Sequence, residues 1–132
     1  IADRWTVYGD VKFGLYDSHT DMVVVKGKVV YETRQILKRL TKDNVKTMCR
    51  DIGKLSHNNP LVVMDMALDS AQVYSSLIEV TVQSLKYCCH LAFDVIVYLV
   101  LEELQFPAEQ RPRLKDDDHN VEGWYTNLCK FT

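Results

Sequence analysis

The sequence predicts an all-α fold: antiparallel helix pairs stacked as a segment of an irregular HEAT-like α-solenoid, with residues 1–132 forming one helical piece of a longer polypeptide. Three observations predict it. Apolar residues recur at three-and-four spacing in segment after segment, the joints between segments are short and carry capping and helix-starting residues, and the stretch Lys38–Pro60 shows one such joint residue by residue. No exact internal repeat is present, so the stack it predicts is an irregular one.

The chain opens with Arg4–Leu15, where Trp5, Tyr8 and Phe13 suggest a helix despite Gly9 and Gly14. Val23–Val25 and Val29–Tyr31 have the β-branched character of strands, with Gly27 placed for a turn. Against that hairpin, Met22, Val25, Val29, Thr33, Ile36, Leu37 and Leu40 follow an unbroken helical period, and a long helix from about Thr20 to Leu40 is expected. Thr41 is placed to cap the next helix, which ends near Ser56. Pro60 begins another, with Leu61, Met64, Ala67 and Leu68 on one side.

A weak break at Asp69–Tyr74 leads into a helix through Leu77, Ile78, Val80, Thr81, Leu85 and Tyr87. The strongly apolar segment from about Ala92 to Phe106 reads as a buried helix, with Asp94 placed to cap or favour its N-terminal end and Pro107 closing it. Its longest apolar run, Val95–Leu101, is far short of the roughly 20 residues that cross a bilayer. Residues 107–119 form a charged internal linker containing Pro112 and Asp116–Asp118. Val121, Trp124, Tyr125, Leu128 and Phe131 then mark a last amphipathic helix.

Composition narrows the function. A hydrophobic content of 47% can supply a core, and 16 Lys and Arg against 18 Asp and Glu leave a net charge of −2, so any electrostatic recognition must be local. The opening at Ile1, with no charged and apolar leader, predicts a piece cut from a longer chain. Cys49, Cys88, Cys89 and Cys129 lack the spacing of a disulfide framework or a CxxC pair, which suits a reducing compartment.

The sequence offers little for catalysis. Cys88, Cys89 and His90 diverge by about 100° per residue on a helix and cannot easily converge on a tetrahedral ion. Asp116–Asp118 and His119 lack the spaced oxygens and glycine of a calcium loop, and Asp118 reads as a helix cap. Glu102 and Glu103 point apart, and no Ser/His/Asp set or phosphate-binding glycine loop is evident. No catalytic residue, cofactor, metal or small-molecule substrate is therefore expected, and the chain reads as a non-enzyme.

Within Lys38–Pro60, Val45, Met48, Cys49, Ile52 and Leu55 form one helical face, while Lys42, Lys46, Arg50 and Lys54 recur every fourth residue on a neighbouring face. The first face packs. The second is the candidate for binding a protein partner or RNA, set against the plain reading of a solvated charged face. At the structural corner, Gly53 allows close helix approach, Leu55 packs inward with Val45 and Ile52, and His57, Asn58 and Asn59 are placed to satisfy open backbone groups before Pro60.

The run Ile36–Lys46, followed by Ile52-Gly53-Lys54-Leu55-Ser56-His57 and Asn59-Pro60, resembles the central region of the THO complex subunit 2 family. Ser84-Leu85-Lys86-Tyr87 and Asp94-Val95, with Tyr98 and Glu102, fall at similar spacings, and Trp124 fits the same pattern. The likeness runs from about Ile36 to Leu104 and is poor in the linker. It departs at Met48-Cys49 and Asp116–Asp118.

The resemblance implies a nuclear, non-catalytic scaffold segment of a THO-type complex that couples transcription to messenger RNA packaging and export. The partners it implies are other THO subunits and the DEAD-box ATPase of that pathway, with RNA contacted indirectly and no membrane. The alternative is an autonomous helical module that binds RNA through the basic face.

Overall fold

The computed structural model describes residues 19–41, 43–105 and 123–132, and every regular element among them is a helix. In chain order these are α1 (Thr20–Lys38), α2 (Val45–Asn58), α3 (Pro60–Val73), α4 (Ser76–Leu85), α5 (His90–Gln105) and α6 (Gly123–Phe131). The expected opening helix at Arg4–Leu15 and the linker at 107–119 lie outside the described residues.

Helical period prevails over β-propensity in α1, as expected. Its buried residues are Val29 and Thr33, one turn apart, with Val30, Ile36 and Leu37 half-buried beside them. Met22 and Val25 fall on the same period but are exposed, which corrects the expectation that the whole stripe packs. Length supplies the reason. At about 1.5 Å per residue, α1 is some 7 Å longer than α3, the helix it lies against, and its first turns overhang.

The α1–α2 corner is made by Asn44 rather than Thr41. The Asn44 side-chain oxygen accepts from the Thr41 backbone N–H at 2.7 Å, and its amide nitrogen donates to the Arg39 carbonyl at 2.7 Å. Thr41 stands too far before Val45 to cap the helix, whereas one Asn amide can satisfy both sides of the turn. At the α2–α3 corner, the Asn59 N–H donates to Leu55 O at 3.2 Å, and Asn59 O accepts from the Val63 N–H at 3.3 Å. Asn59 holds the cap position and Pro60 the first turn as expected, but no side-chain cap bond forms there and the corner closes through backbone.

Among the described residues, helix α3 is the central element and packs against each of the other five described helices. Leu61, Met64, Ala67 and Leu68 are buried as the sequence predicts, and Val62, Val63 and Ala71 are buried too, because neighbours enclose the helix on several sides. Odd-numbered helices pack in the order α1, α3, α5 and even-numbered ones in the order α2, α4, α6.

Helices α2 and α4 meet through small side chains. Cys49, Gly53 and Ser56 on α2 face Val80, Thr81 and Ser84 on α4, and all six are buried. The three hydroxyls are satisfied within their own helices: Ser56 Oγ donates to Gly53 O at 2.7 Å, Thr81 Oγ1 to Leu77 O at 2.8 Å and Ser84 Oγ to Thr81 O at 2.6 Å. Polar groups paired in this way can be buried without a desolvation penalty left open.

Helix α5 begins at His90, so Asp94 is its fifth residue and lies inside the helix instead of capping it. Ala92, Val95, Ile96, Tyr98 and Leu99 are buried, chiefly against α3, and Tyr98 OH donates to Glu102 Oε1 at 3.3 Å. The opposite side is open, so this expected buried helix is buried on one face only. Helix α6 inserts Leu128 against α3 and α4, and Asn127 Nδ2 donates to Gln72 O at 2.8 Å.

Candidate partner-binding face of helix α2

Inward residues of α2 fix where its charged face points. Cys49 and Ile52 are each 1% exposed, Gly53 and Ser56 are buried, and Val45, Met48 and Leu55 are half-buried at the edges. What remains outward is Lys46, Arg50 and Lys54, all exposed; Lys42 lies outside the described residues. A row at every fourth residue drifts about 40° per step around a helix, so the three cations follow a slow spiral across α2.

Their surroundings differ accordingly. Arg50 places its guanidinium 5.8 Å from the centre of the Tyr87 ring, in the range of a cation–π contact. Lys54 Nζ sits 3.2 Å from Asp51 Oδ1, a surface pair worth at most about 1 kcal/mol. Lys54 and Leu55 also line a groove of ≈ 420 Å³ between α1 and α2, with Tyr31, Ile36 and Arg39 on its other side. The surface therefore combines three accessible cations with an exposed tyrosine and a partly apolar groove floor; of these, tyrosine and arginine are the types enriched at protein interfaces, while lysines belong to a polar rim.

The corner residues support this face from behind. An added Cβ at Gly53 would lie 2.7 Å from Tyr87 Cβ and 2.8 Å from Tyr87 O, so glycine permits the close approach that the sequence suggests. That approach brings Tyr87 within reach of Arg50. Pro60 is buried, His57 is exposed, and Leu55 is half-buried where full packing was expected, because the α1–α2 groove opens beside it.

The thiols near this corner are packing groups. Cys49 Sγ lies 3.5 Å from Val80 O, while Cys88 Sγ lies 3.3 Å from Ser84 O and 3.4 Å from Ser56 Oγ. Burial is the main cause that pushes both thiols above their ordinary range, and their mutual proximity pushes Cys49 further. Both are protonated at neutral pH and poor nucleophiles. Among the described residues, no three His, Cys, Asp or Glu side chains converge as a metal site would require.

Sequence reasoning found the charged row and missed the seam behind it. The signal was present in Gly53-x-x-Ser56 and Thr81-x-x-Ser84, two pairs of small residues at one-turn spacing, but nothing local says that the pairs face each other. Tyr31, Ile36 and Arg39 were likewise not connected to Lys54, since the groove exists only once α1 folds beside α2.

Residues 52–129, which include the second half of α2, all of α3 to α5 and most of α6, match the family described as "Transcription- and export-related complex subunit". The chain belongs to the THO complex subunit 2 family. It is 41% identical over 128 residues to human THO complex subunit 2, a match covering 97% of this chain and 8% of the human protein. The Arabidopsis thaliana subunit 2 is 33% identical over 129 residues, covering 97% of this chain and 7% of that protein. Similarity persists at 27% over 128 residues in Saccharomyces cerevisiae, again covering 97% of this chain and 8% of the relative. The chain thus spans less than a tenth of the length of these relatives.

Proposed function

We propose that this chain is a non-catalytic scaffold segment of a nuclear THO-type complex that couples transcription to messenger RNA packaging and export. The observation that carries this reading is similarity to THO complex subunit 2 across 97% of the chain, from plant and yeast to human. Helices alternate between two packed rows, which supports a HEAT-like stack in which one piece is held by pieces on either side.

In this reading Lys42, Lys46, Arg50 and Lys54 dock an acidic protein surface, on another THO subunit or on the DEAD-box ATPase, and RNA is reached through those partners. Two features favour a protein over RNA phosphate: the chain's net charge of −2 and the partly apolar groove beside Lys54.

Reversing two charges tests it. Lys46 and Arg50 lie off the packed stripe, so K46E/R50E is expected to cost no more than about 1 kcal/mol of stability, the worth of the exposed Arg50–Tyr87 contact, while weakening assembly with THO or ATPase partners in a salt-sensitive way. Wild-type assembly by this variant at low salt would reduce the row to a solvated face. Direct RNA affinity that falls steeply with salt in the wild-type protein, and vanishes in the variant, would favour RNA binding by the module instead.

A further inference from the structure

A second groove, of ≈ 590 Å³, runs along the outer side of α4 beside α6. Its α4 wall extends from Ser75 to Lys86, about 16 Å at 1.5 Å per residue, or some three turns. Ile78, half-buried, and Val82, 42% exposed, form the apolar part, while Lys86 and Lys130 supply cations from the C-terminal ends of α4 and α6. Positions 78, 82 and 86 succeed one another at one-turn spacing, so the apolar pair and Lys86 share one ridge.

The charges select what fits there. Lys86 and Lys130 are exposed, and neither has an ion-pair or hydrogen-bond partner among the described residues. Glu79 is the one carboxylate in the lining, and its Oε1 already accepts from Gln83 Nε2 at 3.1 Å. Two ammonium groups beside an apolar ridge match a segment that carries carboxylates next to apolar anchors. Every regular element described is a helix, so none offers a sheet edge to an extended peptide, and a trough between two helices suits the apolar face of an amphipathic helix. An RNA backbone would instead set phosphates against Glu79 and leave Ile78 and Val82 uncovered.

Continuity with α2 indicates where such a helix comes from. Tyr87, whose ring meets Arg50, directly follows Lys86, so the cationic face of α2 and the α4–α6 groove adjoin through these two residues. We propose that the groove seats an acidic amphipathic helix of the same protein partner that docks on the α2 face, with its apolar side on Ile78 and Val82 and its carboxylates on Lys86 and Lys130. This rests on the partner-docking reading above and extends it from α2 to α4 and α6.

The test is zero-length carbodiimide cross-linking of the full-length polypeptide assembled with the other THO subunits, with and without the DEAD-box ATPase. The reagent joins a lysine amine only to a carboxylate touching it, and joined peptides are read by mass spectrometry. Lys86 and Lys130 are expected to be joined to Asp or Glu residues lying within about two helical turns of each other in one partner chain. K86E/K130E is expected to weaken capture of that chain at least about tenfold at low salt. Should the reversed charges at the two helix ends lower the melting temperature, K86Q/K130Q is read in its place. Amines that stay unjoined in every assembly overturn the proposal, as do amines joined to the same polypeptide or to a second copy of it. Protection of both lysines from acetylation by RNA alone assigns the groove to nucleic acid and also overturns it. Wild-type assembly by K86E/K130E overturns it too: if K46E/R50E weakens that assembly, the groove alone fails and the α2 reading stands, and if neither variant does, both fail.

Discussion

At Gly53 the backbone of α2 approaches the α4–α5 turn so closely that a single added carbon would sit 2.7 Å from Tyr87 Cβ and 2.8 Å from Tyr87 O. Neither atom is the tip of a flexible side chain, so something must shift. Alanine is the better helix former by up to about 1 kcal/mol, but overpacking typically costs about 1–3 kcal/mol. Gly53→Ala is therefore expected to lower the melting temperature despite its gain in helix propensity, and to disturb the Arg50–Tyr87 contact. A melting temperature equal to or above wild type would show that the turn can move aside. The need for a small residue was legible at Gly53 itself. Its opponent was not, because Tyr87 is remote in sequence and is brought there only by the packing of α4 on α2. Asn44 shows the same limit at shorter range: Thr41 and Asn44 are both acceptable turn residues, and the choice rests on which side chain reaches both Thr41 N–H and Arg39 O.

Among the elements, α2 was the most readable, since its apolar and charged residues separate cleanly, and Cys49 and Ile52 are buried as that separation requires. What periodicity leaves open is how far a neighbour extends. Leu55 continues the apolar stripe but lies where the α1–α2 groove begins, and α1 continues its stripe to Met22 and Val25 beyond the reach of α3. In α5 the pattern gives no facing direction at all, because apolar residues occur all round, and burial is decided by which neighbours are present. The cost of truncation at Leu55 should reflect its edge position. Complete burial of a leucine stabilises by about 1.5–3 kcal/mol, and full truncation in a core costs about 2–5 kcal/mol. For the half-buried Leu55, Leu55→Ala is expected to cost about 1–2 kcal/mol by denaturant unfolding. No loss would mean that the groove side of α2 contributes nothing to packing, and a loss in the full core range would mean that the groove is closed in solution.

For the molecule as a whole, all-helical character was readable from segment after segment of three-and-four spacing, and the central place of α3 was not. Its sequence shows an apolar side and a proline start. Only the assembled structure shows that α1, α2, α4, α5 and α6 all lean on it. That arrangement bears on cooperativity. In an ideal repeat stack each unit touches only its neighbours, and stability is close to a sum of local terms. Here one helix is shared, so a defect at its centre should be felt at both edges. Met64 is fully buried in α3, and Met64→Ala is expected to cost about 2–5 kcal/mol. More informative than the cost is its distribution. Hydrogen exchange in Met64→Ala should rise by similar factors in α1 and in α6, because both lose their support in one event. Exchange that rises in α3 and one neighbour while the far helix keeps its protection would show that the helices unfold as separable units, and that α3 is a link in a chain rather than a shared axis.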